Sequence, residues 1–307
     1  MLVELSKEAY RKHFPDDPSP FISEAFVHLT EKKQDKVIRL MEEGDSSLGL
    51  LVGLKDGVVR SPFSAPFGGF HYSHEYMNYD QICDFLSDLK EWVSGEGYEK
   101  ILITLPPYLY QVDMNAKLVN GFVRTGFKME TPDLTNWLDL KKFNGEWNKS
   151  VVDQNLRKAN KHGLQWSLVS SIDEMNEAYQ VIQRNREGLG RKIYMTLEDI
   201  LKVNEVIPVD FFSVREISGK CVGAAVLYRG HATIVQGIFM GSDLEKRNLG
   251  TIDLMYMNIY NYYKEKGFEF IDLGISSLHG EPNIGLLRFK EVHNGCTSLR
   301  YTFSWQP

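Results

Sequence analysis

Long apolar runs are missing from this 307-residue chain: no stretch approaches the roughly 18 consecutive apolar residues of a membrane span, so none is expected. Cysteine is scarce. Cys83, Cys221 and Cys296 are odd in number and far apart, without metal-ligand or redox spacing, which predicts reduced thiols in a cytoplasmic protein. Positive charge does not dominate either. With 35 Lys+Arg against 41 Asp+Glu the net charge is −6, which argues against a dedicated nucleic-acid binder and leaves room only for a local basic groove. Charges at Glu4, Lys7, Glu8, Arg11 and Lys12 leave no space for the apolar core of a signal peptide.

The common local motifs are absent too. There is no GxxxxGK[ST] loop, no GxGxxG after a strand, no HExxH, no CxxC and no GxSxG elbow. His74-Glu75 lacks a second histidine four residues on, and His279 and His293 lack a ligand-spaced partner, so no metal site is expected. What remains is an ordinary globular composition, rich in aromatics with 15 Tyr and 17 Phe, which excludes disorder. At roughly 100–200 residues per domain, the length fits two domains.

The pattern of elements is mixed. Residues 5–45 read as polar helix, with Val37, Ile38, Leu40 and Met41 before a stop at Gly44. Strand-like runs follow, turned at Asp56-Gly57. Asn78 and Gln81 resemble a capping box for a helix that ends near Gly95, and YEKILITL (98–105) reads as a buried strand. After LTNWLDL (134–140) the order begins again. A polar helix (147–163), a strand, helices opened by Ser171 and Thr196, and a hairpin at Ser218-Gly219 lead to ATIVQGIFM. Then come a helix after Gly250, the strand FEFIDLGIS, a short helix and a last strand SLRYTFSW.

GEGYEKILI (95–103) and EKGFEFIDL (265–273) match in pattern at an offset of 170 residues. With the shared element order this predicts an internal duplication, cut as residues 1–145 and 146–307. Between strand and helix in the second copy stands Arg247-Asn248-Leu249-Gly250-Thr251. A turn feeding a helix N-terminus presents free N–H groups and a positive dipole end, which suit a pyrophosphate. Gly250 would admit the phosphates and Arg247 add charge; the plain alternative is a polar loop with a helix-start glycine. The first copy has HYSHEYMN at this place, without a glycine, and is expected to hold no donor.

Arg247 and Gly250, in this order of elements, resemble the [RQ]xxGx[GA] acyl-CoA loop of the GNAT acetyltransferase fold, with Ile252 in place of the small last residue. NLRKANKHGL (155–164), FIDLG (270–274) and GLLRFKEVHNG (285–295) are similar to the Fem-like branch, relatives of peptidoglycan-type aminoacyltransferases with two GNAT domains in tandem. The resemblance covers most of the chain, and FIDLG with GLLRFK is its most specific part. It implies an α/β chain of two tandem GNAT-like domains, each a mixed sheet flanked by helices.

The resemblance also implies the chemistry: an acyl group passes to an amine, and the net negative charge with the partial CoA loop makes acyl-CoA, with acetyl as its acyl group, the expected donor; aminoacyl-tRNA, as in the Fem branch, is the alternative. The acceptor would be a small molecule or a cell-envelope precursor. Asp272, at the end of a buried strand, would orient or deprotonate that amine, or else cap a turn. Lys290, in the Phe289-Lys290 pair that matches the family, would lie near the donor phosphates or the developing charge. Arg186, Arg191 and Lys192 flank Gly188-Leu189-Gly190 and fit a lid over an anionic substrate. Arg157, Lys158 and Lys161 share a helix face, either solvated or facing tRNA. Tyr256, Tyr260 and Tyr263 recur at helical spacing and are read as core or interface. A degenerate, non-catalytic binding protein is the third reading.

Overall fold

The computed structural model describes residues 1–73 and 77–307. The chain opens with β1 (Leu2–Glu4), α1 (Lys7–His13) and α2 (Glu24–Thr30), followed by β2 (Lys36–Glu42), β3 (Asp45–Lys55), β4 (Val58–Ser61) and β5 (Phe70–Tyr72). Next come α3 (Tyr79–Gly95), β6 (Lys100–Thr104), α4 (Val112–Arg124), β7 (Lys128–Met129) and β8 (Asp133–Asp139). The middle of the chain gives α5 (Ser150–Lys161), β9 (Gln165–Val169), α6 (Ile172–Gly188), α7 (Leu197–Asn204), β10 (Val209–Arg215), β11 (Cys221–Tyr228) and β12 (Ile234–Ser242). The last stretch holds α8 (Thr251–Glu265), β13 (Phe270–Ile275), β14 (Ser277–Leu278), β15 (Glu281–Pro282), α9 (Ile284–Val292), β16 (Cys296–Arg300) and β17 (Thr302–Trp305). No helix among the described residues is long and apolar enough to cross a membrane.

Two compact units result. One comprises Met1–Leu134, Ser277–Pro282 and Ser298–Pro307, and the other Thr135–Ser276 with Asn283–Thr297. The expected cut at 145/146 is therefore corrected: each unit takes strands from the other half of the chain. The first sheet runs β1-β2-β3-β4-β6-β17-β7, with β5 also paired to β3, and the second β16-β8-β13-β12-β11-β10-β9. Strand β8, which ends the first half, thus lies in the second sheet, and β17, which ends the second half, lies in the first between β6 and β7. The single strand expected over 298–305 is instead two, broken at Tyr301, one in each sheet.

The duplication is visible in equivalent elements. Helices α3 and α8 end at Gly95 and Glu265, and β6 and β13 begin at Lys100 and Phe270, an offset of 170 residues each time (265 less 95, 270 less 100). In the first unit Ile82, Phe85, Leu86, Leu89 and Val93 of α3 recur at three- and four-residue steps and bury one face of the helix. They meet Ile101 and Ile103 of β6 and Phe303 of β17 in one core. In the second, Tyr256, Ile259, Tyr260 and Tyr263 of α8 pack with Leu138, Val235 and Ile271 from three adjacent strands.

Two local readings are corrected. Residues 36–42 form a strand, because Ile38 and Leu40 alternate inward and pair with Val52 and Leu50 of β3. Asn78 precedes α3 without a side-chain cap, and Gln81 donates instead to Asp45 and Ser47. The caps at Ser171 and Thr196 and the Asp56-Gly57 turn form as expected, the turn with positive φ at both residues.

Candidate active site

In the second unit β12 and β13 run parallel for three residue pairs, Ile234 with Phe270, Val235 with Ile271 and Gln236 with Asp272. There the pairing stops. β12 continues to Ser242 beside β11, with an irregular register between its Gly237 and Phe239 partners. β13 follows β8, with a register shift between Asp272 and Gly274. Gly274 takes φ +74°, a left-handed conformation that a side chain would strain. The two strands therefore splay, and the fork opens at Gln236 and Asp272.

Asp272 is 1% exposed at this fork. Its Oδ2 accepts from Gln236 Nε2 at 3.2 Å and its Oδ1 from the Gly274 N–H at 2.8 Å. Two donors on a buried carboxylate offset its desolvation and fix its direction. Lys290 reaches the same strand end from α9: its Nζ donates to the carbonyls of Gly274 and Ile275, both at 2.8 Å. Burial lowers the Lys290 pKa to about 8, with the Asp272 charge pushing it back up. The two residues singled out in the sequence thus converge on the end of β13.

Register assigns the faces. Gln236, Asp272 and Trp137 are successive partners across β12, β13 and β8, so their side chains share one face, opposite Val235, Ile271 and Leu138. The end of α6 meets this face over β12, where Asn185 Nδ2 donates to the Ser242 carbonyl at 2.6 Å. A Cβ at Gly241 would lie 2.9 Å from that of Asn185, so glycine permits the approach. Arg186 stacks on Phe239 of β12, its Cζ 5.3 Å from the ring centroid. Its buried Nε has no hydrogen-bond partner among the described residues, and burial, together with the Arg191 charge, lowers its pKa. Arg191 and Lys192 are exposed, with Lys192 Nζ over the Tyr194 ring. Of the three expected lid cations, Arg186 is the one packed against the sheet.

The turn before α8 has another character than its pattern suggested. Arg247 and Asn248 are exposed, Leu249 packs against the core, and Gly250 is buried at φ +79°. A Cβ on Gly250 would lie 2.1 Å from the Asn155 carbonyl oxygen of α5. This glycine is required by the close approach of α5 and by its own backbone, whether or not a phosphate ever binds. Thr251 is 1% exposed; its methyl faces Gly223, where a Cβ would come within 2.4 Å, and its Oγ1 has no partner among the described residues. No side chain caps α8, and Asp253 in its first turn accepts from Asn155 Nδ2 at 3.2 Å. His293 stacks on Tyr256 with centroids 4.5 Å apart, its Nε2 3.3 Å from Asp253 Oδ1 without hydrogen-bond alignment.

Among the described residues the first unit lacks this constellation. At the same offset Leu102 stands where Asp272 stands, and its parallel partner is Arg60. Beyond Ser61 the chain leaves the sheet, and Gly68 N–H returns to bond the Thr104 carbonyl at 2.9 Å, so the unit's own backbone lies alongside β6. His74, Glu75 and Tyr76, the middle of the HYSHEYMN segment, lie outside the described residues.

Gln236, Phe239, Asn185 and Trp137 do not stand out in the sequence. Gln236 carries a signal, a polar residue inside an apolar strand; the other three acquire their places only through register and helix docking.

No family profile and no curated protein matches the chain. Solved structures do. The chain is similar to FemX over all of its length and 97% of that chain, at 14% identity and a TM-score of 0.66. It is similar to L-PGS from Bacillus licheniformis, covering 97% of this chain and 90% of that one, at 12% identity and a TM-score of 0.62. A tandem GNAT protein from the clavulanic acid biosynthesis pathway matches over 100% and 98%, at 9% identity and a TM-score of 0.58. The fold is thus a tandem GNAT fold, with two mixed sheets flanked by helices.

Proposed function

We propose that this chain is an acyltransferase that moves an acyl or aminoacyl group onto an amine at the β12/β13 fork. The observation that carries the reading is the convergence of Asp272, Gln236 and Lys290 where the two strands part. The unit made of Thr135–Ser276 and Asn283–Thr297 does the chemistry, and the first unit holds no donor.

The acceptor enters as an ammonium, attracted by Asp272. Lys290 takes its proton: a neutral amine keeps both N–H bonds to Gly274 and Ile275 and still offers a lone pair, and a pKa of about 8 leaves a minority of that form at neutral pH and a majority above 8. The freed amine attacks the acyl carbonyl. A C–N bond forms, the bond from the acyl carbon to its carrier breaks, and the leaving atom keeps the electron pair and takes up a proton. Backbone N–H groups of the strands in the fork polarise the carbonyl. Arg186, backed by Arg191 and Lys192, receives an anionic group of the acceptor, a small molecule or a cell-envelope precursor.

The carrier is read from the surroundings of α8. Gly250 is closed by α5, so its packing and left-handed backbone account for the glycine without a pyrophosphate. Arg157, Lys158, Lys161, Arg191, Lys192 and Arg247 are exposed and form no ion pair among the described residues. They stand on neighbouring elements: α5 touches Gly250, and a Cβ on Gly188 of α6 would come within 2.4 Å of Leu244 in the turn. Such a surface suits a long polyanion, and an aminoacyl-tRNA is the donor we favour. Acyl-CoA is the second reading, supported by the uncapped start of α8 beside exposed Arg247 and Asn248. Three free cysteines suit a reducing cytoplasm.

Binding and single-turnover transfer should be measured with aminoacyl-tRNA and with acetyl-CoA, each with a panel of amines. Salt-sensitive tRNA binding with aminoacyl transfer supports the first donor. Calorimetric acetyl-CoA binding abolished in Arg247→Ala supports the second. A folded sample that binds neither overturns the transferase reading in favour of a non-catalytic binding protein.

A further inference from the structure

Three buried donor atoms without partners among the described residues lie on the Asp272 face of the second sheet: Arg186 Nε, Trp137 Nε1 and the Thr135 hydroxyl. Arg186 sits over Phe239 of β12. The other two lie on the far side of Asp272, on β8, where Trp137 is the register partner of Asp272 and Thr135 that of Ile275. Residues 135 and 137 alternate onto the same face of the strand. Thr135 is 1% exposed, whereas Trp137 and its edge-on neighbour Phe270 remain partly exposed around the buried indole nitrogen. A buried indole N–H without an acceptor costs on the order of 1–3 kcal/mol, so two such donors two residues apart on one face call for a partner.

We propose that Trp137 and Thr135 form a recognition subsite for an uncharged oxygen, a carbonyl or hydroxyl, of the amine acceptor. The chemistry follows from the groups. An indole nitrogen only donates, and a hydroxyl donates or accepts, so the pair selects an oxygen with lone pairs and has no charge to offer an anion. Paired residues on adjacent strands lie about 5 Å apart. The selected oxygen therefore stands two to four atoms from the amine held at Asp272, on the side away from Arg186. A bare alkylamine would leave both donors unpaired, and this is how the site would discriminate against it. The subsite rests on the proposed acceptor role of Asp272, and it does not depend on which carrier brings the acyl group.

The test uses two amines of equal length, β-alaninamide and n-butylamine, added to the full-length protein without any donor. The chain has five tryptophans, and Trp137→Phe assigns the indole resonance of residue 137 in a nitrogen-15 correlation spectrum. β-Alaninamide should shift that resonance and bind at least about 5-fold tighter than butylamine, as one or two hydrogen bonds would give. Trp137→Phe and the isosteric Thr135→Val should each erode that preference while leaving butylamine binding unchanged. An indole resonance unmoved by either amine would mean that solvent water satisfies these groups, and overturns the proposal. So does a preference that survives both substitutions. Because no donor is present, the subsite and the transferase reading fail separately: amine selection without donor binding sinks only the latter, and transfer without amine selection only the former.

Discussion

Gln236 donates to Asp272 across the last rung of the β12/β13 ladder, 3.2 Å from Nε2 to Oδ2, and beyond this rung the strands no longer pair. The bond fixes the carboxylate at the fork while the Gly274 N–H holds its other oxygen. Asp272→Asn keeps an acceptor for Gly274 and nearly the same volume, so the fold should persist while the charge that gathers the ammonium disappears. Transfer should fall by about 100-fold or more, measured as single-turnover rate at saturating donor. A rate within a few fold of wild type would remove Asp272 from the chemistry.

Lys290 gives a stability test independent of any substrate. Its folded pKa of about 8 lies below the ordinary lysine value near 10.4, so between these values the unfolded chain binds the extra proton. Stability should therefore rise as pH climbs from about 8 to about 10, by on the order of 3 kcal/mol, while below 8 the full penalty of the buried charge persists and this group adds no pH slope. Lys290→Met should flatten that rise in urea titrations across the window, even though the carbonyls of Gly274 and Ile275 lose their donor. An unchanged pH slope in the variant would return Lys290 to an ordinary solvated pKa.

Much of this architecture is legible because local and tertiary demands agree. FIDLG must be a buried strand, and its one charged residue must face something polar; Lys290 falls on the helix that follows. The exchange of β8 and β17 between sheets leaves no local trace, since a strand's sequence fixes its faces and not its neighbours. Residues 36–42 pass for helix in sequence because Val37, Ile38, Leu40 and Met41 satisfy both periods over so short a window. Gly250 is ambiguous in another way. A glycine before a helix marks a left-handed turn whether the nearby atom belongs to a phosphate or, as here, to the Asn155 backbone.

That distinction can be measured. Gly250→Ala should destabilise the protein by at least about 3 kcal/mol, because a methyl group would strike the Asn155 carbonyl in addition to straining a left-handed residue. Gly267→Ala is the control. It has a similar φ of +84° and nothing within 4 Å of the added carbon, so only the backbone strain of about 1–2 kcal/mol applies. Equal losses in denaturant titrations would show that α5 does not press on the turn, and would return Gly250 to the phosphate reading.

The exposed cations on α5 separate the two donors without touching the fork. Arg157, Lys158 and Lys161 lie in the solvent and in no ion pair among the described residues, so their joint replacement by glutamine should leave stability within about 1 kcal/mol. If they meet phosphates, tRNA affinity should fall at low salt, and the slope of log affinity against log salt should shrink by about 2 to 3, close to one for each phosphate no longer neutralised. Acetyl-CoA binding should not change, because its few phosphates would be held by the start of α8. A triple variant with an unaltered salt slope would leave α5 as a merely solvated face. The polyanion reading would then rest on Arg191, Lys192 and Arg247 alone, too few charges to hold a long nucleic acid, and acyl-CoA would become the better-supported donor.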